Sequence, residues 1–351
     1  MTGKTDIRSL TYDKLRAGIE KLGEKGFRAD QVFDWLHAKG ADDFSKMSNL
    51  SENLRRRLSE EYRIDSVKPV DVLVSSDGTR KYVHALYDQN VIETVLLKYD
   101  YGNTVCISSQ VGCRMGCGFC ASTIDGLVRG LEAGEMEAQI RSVEEDTGER
   151  ISHVVVMGSG EPLDNYDAFT DFVDIITDKR GMNLSIRNIT ASTCGLVPQI
   201  RELAARMYGL TLALSLHAVT DEKRRQIMPI AKKYPLSEVF DACRYYFAET
   251  GRRITLEYSL ISGFNDGDDD MDGLAAIARD LGAHVNLICV NPIEERQYLP
   301  TSRKKALALK NKLEKNNINV TIRREMGRDI QGACGQLRRN FLKSNLGDPN
   351  V

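Results

Sequence analysis

A chain of 351 residues with a net charge of −2, 42% hydrophobic and 28% charged, has the composition of an ordinary globular protein, long enough for a large domain with a smaller one appended. No apolar run approaches the roughly 20 residues of a membrane span, and the start, Met1-Thr-Gly-Lys-Thr-Asp, lacks the order of a signal peptide; we expect a cytoplasmic protein with no membrane partner. In that reducing setting its eight cysteines point to metal binding or catalysis rather than to a disulfide framework.

In chain order, residues 1–66 read as a small helical module. Tyr12 to Leu22, Arg28 to Lys39 and Ser51 to Tyr62 carry apolar residues at three and four spacing, and Gly23, Gly26 and Gly40 mark the breaks. Over 67–104 the period changes to that of strands: Val70-Asp-Val-Leu-Val, Lys81-Tyr-Val-His-Ala-Leu and Val91-Ile-Glu-Thr-Val-Leu-Leu, with Ser76-Asp-Gly-Thr as a turn. Pattern alone makes Glu93 a surface-facing strand carboxylate.

The next stretch, Cys106-Ile-Ser-Ser-Gln-Val-Gly-Cys113-Arg-Met-Gly-Cys117-Gly-Phe-Cys120, holds four of the eight cysteines. The C-x3-C-x2-C spacing of Cys113, Cys117 and Cys120 lets one tight loop aim three thiolates at a common centre. Three ligands are one short of a closed site, which leaves a coordination position for a substrate or cofactor. Zinc sites usually pair two such halves, and no second half exists here, so the spacing favours an iron–sulfur cluster with one open iron. Cys106, seven residues upstream, stays open as a fourth ligand.

From Thr104 onward apolar strand-like runs alternate with helical segments. The strands are Val105 to Ser108, His153 to Met157, Arg187 to Ser192, Leu210 to Leu216, Ile254 to Ile261, His284 to Val290 and Asn319 to Arg323. This predicts an α/β fold, a partial (β/α)6-type barrel over 105–295 with parallel strands and crossover helices. In such folds functional groups gather at the carboxyl ends of the strands. The cysteine loop, Gly158-Ser-Gly-Glu161-Pro, Ser192-Thr-Cys194, Ser215-Leu-His217 and Val290-Asn291-Pro292 all fall there. Taken singly, each has a plainer reading: a βα turn for the glycines, a hydrogen-bonded structural histidine for His217, a turn residue for Asn291. Cys243 reads as core; Cys194 and Cys289, near strand ends, stay ambiguous. Asp266 to Asp272 reads as an exposed loop leading into a helix.

The small net charge hides a basic end. Arg296 to Lys343 carries 13 Lys and Arg against 3 Asp and Glu, so residues 296–351 form a segment suited to phosphates, or simply a solvated basic tail. Within it Gly332-Ala-Cys334-Gly-Gln presents a sterically open cysteine.

The three-cysteine loop after the first barrel strand resembles that of the radical S-adenosylmethionine (SAM) enzymes. Closer still, Cys106 through Cys120 with Ala121-Ser-Thr, Val155 to Asn165, Ser215-Leu-His217, Met228-Pro-Ile, Asn286-Leu-Ile and Ile322-Arg-Arg through Ala333-Cys334-Gly-Gln-Leu resemble the RlmN/Cfr family of RNA methyltransferases. Phe27-Arg-Ala-Asp-Gln-Val-Phe-Asp-Trp35 resembles that family's RNA-binding accessory domain, so the likeness spans nearly the whole chain. The resemblance implies one [4Fe-4S] cluster on Cys113, Cys117 and Cys120, and two SAM per turnover. It implies SAM contacts at Gly160, Glu161, Ser192, Ser215, Leu216, His217 and Asn291. It further implies Glu93 as proton acceptor, Cys334 as the methyl-carrying thiol and Cys106 as its disulfide partner. Implied partners are 23S rRNA, the anticodon loop of transfer RNA and an external electron donor such as flavodoxin or ferredoxin, with the protein acting as a monomer. Glu161-Pro162-Leu and Ala121-Ser-Thr are nearer the carbon-2 branch than the carbon-8, antibiotic-resistance branch. Ser159, Gly130 and Cys289 depart from the family pattern. Two other classes compete: a non-catalytic, metal-stabilised RNA-binding protein, which leaves Cys334 without a role, and a radical SAM enzyme for a small molecule, against which the basic segment speaks.

Overall fold

The computed structural model describes residues 3–65, 67–206, 208–293, 295–332 and 335–336; Cys334 lies outside them. The amino-terminal helices are α1 (Tyr12–Lys21), α2 (Phe27–Phe33) and α3 (Glu52–Glu61). Their apolar positions recur at helical spacing and close a core of their own, with Leu15, Ile19, Val32, Phe33, Leu54 and Leu58 fully buried. Ser51 caps α3, its hydroxyl accepting the Leu54 N–H at 3.2 Å. The single helix expected over Arg28 to Lys39 changes winding instead: Asp34–Ala38 is a π-type turn, which carries His37 inward against Phe33, with ring centroids 4.4 Å apart and the rings tilted by 48°.

This module docks on α4 (Ala133–Thr147) through buried charge. Glu137 is fully buried and meets Arg8 at 3.6 Å, His37 at 3.5 Å and Arg141 one turn along. Burial alone would raise its pKa; Arg141, His37 and Arg8 hold it below the usual carboxylate range. Asp6 is the opposite case. Burial, and then the neighbouring Asp65, push its pKa up to about 7, and its Oδ2 has no hydrogen-bond partner among the described residues. A raised carboxyl pKa means that the folded chain holds a proton the unfolded chain has released, so stability falls as pH rises from about 4 to about 7. Asp6→Asn is therefore expected to raise stability at pH 8 by a few kcal/mol, on the order of 1.4 per pKa unit, and to change it little near pH 4, in thermal melts at the two pH values.

Ten strands form the main sheet: β1 (Lys68–Val74), β2 (Arg80–Ala85), β3 (Val91–Tyr99), β4 (Gly102–Ile107), β5 (His153–Val156), β6 (Ile189–Thr193), β7 (Thr211–Ser215), β8 (Thr255–Leu260), β9 (His284–Cys289) and β10 (Val320–Ile322). Each strand lies beside its chain neighbour. β1 to β4 pair antiparallel and β4 to β10 pair parallel. Helices α4, α5 (Tyr166–Thr177), α6 (Val197–Ala205), α7 (Asp221–Ile227) with α8 (Leu236–Thr250), α9 (Asp268–Asp280) and α10 (Arg303–Lys315) make the crossovers. The result is the expected partial (β/α)6 barrel, with β10 as a seventh parallel strand and β1 to β3 continuing the sheet on the other side. Period-two alternation divides the faces. Ile107, Val154, Ala191, Leu214, Tyr258 and Leu287 face the helices and form the main core, while Cys106, Val155, Ser192, Ser215, Glu257 and Asn286 fall on the other face.

After β10 the chain crosses this inner face and is latched to the β1–β2 turn. Ser75 Oγ donates to Asp329 Oδ1 at 2.5 Å, the Ser76 N–H to Asp329 Oδ2 at 3.2 Å, and the Gly327 N–H to Asp77 Oδ2 at 3.0 Å. The acidic run after β8 is less exposed than expected. Asp266 and Asp270 are buried against Lys305 at 2.8 Å and Lys223 at 2.6 Å, tying β8 and α9 to α10 and α7. Among the described residues no helix is long and apolar enough to cross a membrane.

Candidate active site

The cysteine loop leaves β4 through Gln110–Gly112, which pairs with Leu127–Gly130 and closes the loop at its base. Inside it the Cys113 N–H donates to the Gly126 carbonyl at 3.1 Å, and Thr123 Oγ1 donates to the Cys117 and Cys120 carbonyls at 3.0 and 2.9 Å. The Gly118 N–H donates to the Ile227 carbonyl at 2.8 Å, which pins the loop to the end of α7. Cys113, Cys117 and Cys120 line one cavity of about 120 Å³. Burial, with the neighbouring thiol of Cys120, pushes Cys113 up to about 12 and Cys117 well above the thiol range, a penalty that a bound cation reverses. Among the described residues no three His, Cys, Asp or Glu side chains are gathered as the ligands of one metal ion are.

The strand ends supply the opposite wall. Gly160 sits at φ +110°, and a Cβ there would come within 2.7 Å of Gln110 Cβ and Ser109 Oγ, so only glycine brings this turn against the loop base. Glu161 is a brace: Oε1 accepts the Leu163 N–H at 3.2 Å and Oε2 the Cys194 N–H at 2.8 Å, joining the ends of β5 and β6. Ser192 and Ser215 share a hydrogen bond of 3.2 Å across β6 and β7. His217, in the left-handed region at φ +56°, accepts the Ser259 N–H on Nδ1 at 3.0 Å, which leaves its proton on Nε2. Burial lowers its pKa to about 3, so it is a neutral imidazole, edge-on to Phe119. Ser192, Ser215 and His217 line both the cysteine cavity and an adjoining one, also about 120 Å³, which adds Asn291 and Glu257. Leu216 is buried behind this wall.

Cys106 stands apart from the three loop cysteines. It lies on β4 between Val95 of β3 and Val155 of β5, packed with Leu97 and Met326, and lines a third cavity with Met157, Asn291, Arg323 and Gly332. Gly335, two residues beyond 333, lines the Asn291 cavity, and its carbonyl accepts the Ala121 N–H at 2.8 Å. Gly332 thus lines the cavity of Cys106, and Gly335 lines that of Cys120.

The strand pattern places Glu93 on a surface, and here it errs: the side chain is 2% exposed, because β3 is covered on both faces, and Lys81 of β2 lies 3.0 Å away. Removing one member of a buried ion pair takes away a main source of compensation for the other's charge. Lys81→Met is expected to cost about 3–5 kcal/mol, most of it recovered when Glu93→Leu is added, in denaturant titrations of the single and double variants. Sequence reading missed Lys81, since a lysine in an alternating strand carries no mark of burial. It also missed Arg224, which the run Lys223-Arg224-Arg225 disguises as solvated charge. Of the departures from the family pattern, Gly130 has a structural reason. Asn165 packs where its side chain would stand and donates to the Ser109 and Leu131 carbonyls at 3.0 and 2.8 Å. Ser159 acts through its backbone, its carbonyl accepting the Ser109 and Gln110 N–H groups at 2.9 and 3.1 Å.

Fold and loop together define a radical SAM protein, and the radical SAM superfamily model matches residues 107–275. A second model, the ribosomal RNA large subunit methyltransferase N-terminal domain, matches residues 5–64. Over 97% of both chains the sequence is 54% identical to a protein of Lachnospira eligens described as a probable dual-specificity RNA methyltransferase RlmN. It is 52% identical to a protein of the same description from Alkaliphilus oremlandii, covering 97% of this chain and 99% of that one. A crystal structure of a radical SAM methyltransferase from Sphaerobacter thermophilus superposes with a TM-score of 0.90, at 40% identity over 95% of this chain and 99% of the other. The chain belongs to the RlmN family of radical SAM proteins.

That family implies an iron–sulfur cluster and SAM. The residues present fit them: three thiols at one cavity, a polar wall opposite, and a fully buried Arg224 whose Nη1 lacks a hydrogen-bond partner among the described residues and whose charge acts on Cys117.

Proposed function

We propose that this protein is an RNA methyltransferase that places a methyl group on carbon-2 of an adenosine in 23S rRNA and in transfer RNA anticodon loops, through a methylated Cys334. What carries the reading is the placement of Cys106 and Gly332 on one cavity and of Gly335 and Cys120 on the next. Cys113, Cys117 and Cys120 hold the cluster, and Gly160, Glu161, Ser192, Ser215, Leu216, His217 and Asn291 form the SAM pocket, most of them lining its two cavities. When bound, the cluster and SAM supply a 5′-deoxyadenosyl radical, which a ring carbon that is no nucleophile requires.

The protein's own residues do the rest. The Cys334 thiolate attacks the methyl carbon of a first SAM; the sulfur–methyl bond forms, the methyl–sulfonium bond breaks and S-adenosylhomocysteine leaves. Once a hydrogen atom is taken from that methyl group, the sulfur-bound methylene adds to carbon-2. The adduct gives up one electron, returned to the cluster and its external one-electron carrier that supplied it, and Glu93 accepts the carbon-2 proton. The Cys106 thiolate then attacks the Cys334 sulfur; the sulfur–carbon bond breaks toward the base, which takes up a proton, and a disulfide remains. Two SAM are consumed per methyl group transferred.

We assign residues 1–66 as an RNA-binding accessory domain, 67–104 as the extension carrying Glu93, 105–295 as the catalytic core and 296–351 as the basic segment carrying Cys334. Support for an RNA substrate comes from a groove of about 700 Å³ lined by Arg303, Arg323, Arg324 and Arg328 beside Cys289, where phosphates would find paired guanidinium groups. The partner in electron supply is an external one-electron donor of the flavodoxin or ferredoxin class. The test is nucleoside analysis of RNA incubated with the holoprotein, SAM and reductant. 2-Methyladenosine is the expected product; 8-methyladenosine would overturn the regiochemistry, and unmodified RNA beside cleaved SAM would overturn the substrate.

A further inference from the structure

Arg224, in the middle of α7, is completely buried. Its Nε donates to the Leu216 carbonyl at 3.2 Å, and its Nη2 to the carbonyls of Cys194 at 2.6 Å and Ser215 at 3.2 Å. All three acceptors lie at the carboxyl ends of β6 and β7, and none carries a formal charge. Nη1 is buried with no hydrogen-bond partner among the described residues. Asp221, one turn earlier, acts on Arg224 only at longer range, its own carboxylate accepting the Leu236 N–H at 2.9 Å.

A buried guanidinium held by carbonyls alone is an expensive arrangement, because desolvation of a cation is offset only by an anion nearby. The ionisable groups within reach are the thiols of Cys194 and Cys117, both held neutral by burial until a cluster takes the Cys117 sulfur as thiolate. Cys194 and then Cys117 are the groups whose ionisation would couple most strongly to Arg224, and Arg224 in return favours the thiolate of each. The same helix fastens the cysteine loop, through the Gly118–Ile227 bond of 2.8 Å.

We propose that Arg224 is the fixed counter-charge of the iron–sulfur cluster: its carbonyl bonds hold the strand ends beneath the cysteine loop, and its positive charge raises the cluster's reduction potential. This rests on Cys113, Cys117 and Cys120 being the cluster ligands. Reduction adds one electron to the cluster, and a cation held in a low-dielectric setting stabilises the more negative state more strongly. Arg224 is a positioning residue; it touches neither the substrate nor the reacting atoms.

The experiment is a mediated redox titration of the anaerobically reconstituted full-length protein, followed by electron paramagnetic resonance, after iron content has been measured. For Arg224→Met at full iron content, the ratio of reduced to oxidised cluster at a fixed potential falls at least about tenfold, or about 59 mV for one electron. Arg224→Lys keeps the charge and stays within about threefold of the parent, although it loses part of the carbonyl clamp. A parent potential in iron-loaded Arg224→Met overturns the proposal. If that variant does not fold, Arg224→Gln and Arg224→Lys decide: equal shifts in both leave only a structural clamp and overturn the electrostatic role. A parent protein that binds no iron would instead sink the ligand assignment.

Discussion

Replacing Cys106 by alanine is expected to stop turnover after a single methylene transfer, with RNA covalently attached to the protein. Cys106 is 6% exposed, held in the β4 ladder between Val95 and Val155, and faces the cavity that Gly332 lines. Loss of one sulfur from that packed position costs about 1 kcal/mol of stability, so the fold survives and the chemistry does not. Without a thiolate to attack the Cys334 sulfur, the thioether to the base has no exit, and steady-state turnover falls by about 10³-fold or more. A denaturing gel with end-labelled RNA reads this directly as a protein-linked band. Free, methylated RNA produced at the parent rate would remove Cys106 from the reaction.

Replacing Cys117 by alanine has an effect of equal size at an earlier step. Cys117, Cys113 and Cys120 line one cavity, and three ligands leave no redundancy. Cys117→Ala is expected to lose most of its iron and sulfide, the absorption of the cluster, and reductive SAM cleavage, the last by about 10³-fold or more. Cys194→Ala is the control: this thiol lines the same cavity but lies outside the three-cysteine loop, and its backbone N–H on Glu161 at 2.8 Å and carbonyl on Arg224 at 2.6 Å survive the substitution. It is expected to keep its iron. Loss of iron from both variants alike, or a zinc content that tracks Cys117, would contradict the assignment.

The barrel was legible because parallel strands covered by helices write themselves as apolar runs alternating with amphipathic ones. Val154 to Val156, Leu212 to Leu214 and Leu287 to Cys289 are such runs, and the polar groups that follow them fall on one rim by topology alone. What the sequence withheld depends on register and long-range closure. Glu93 looked exposed because a carboxylate among apolar neighbours has two readings, and only the β2–β3 register, with Val83 opposite Glu93 and Val95 opposite Lys81, brings its partner within reach. The latch from Asp329 to Ser75 joins residues 254 apart, and no local pattern announces it. Arg224 follows the same logic: its neighbours in the chain are charged, and only the packing of α7 under the cysteine loop buries it.

The central claim is that the methyl group passes through a protein sulfur. The most direct measurement is mass spectrometry of the peptide containing Cys334, after the cluster-loaded protein has been incubated with methyl-labelled SAM and then given RNA. One labelled methyl group on Cys334 before RNA is added, and its carbon recovered in the modified adenosine afterwards, is the predicted result. Methylated RNA formed by a protein whose Cys334 never carries the label would contradict it.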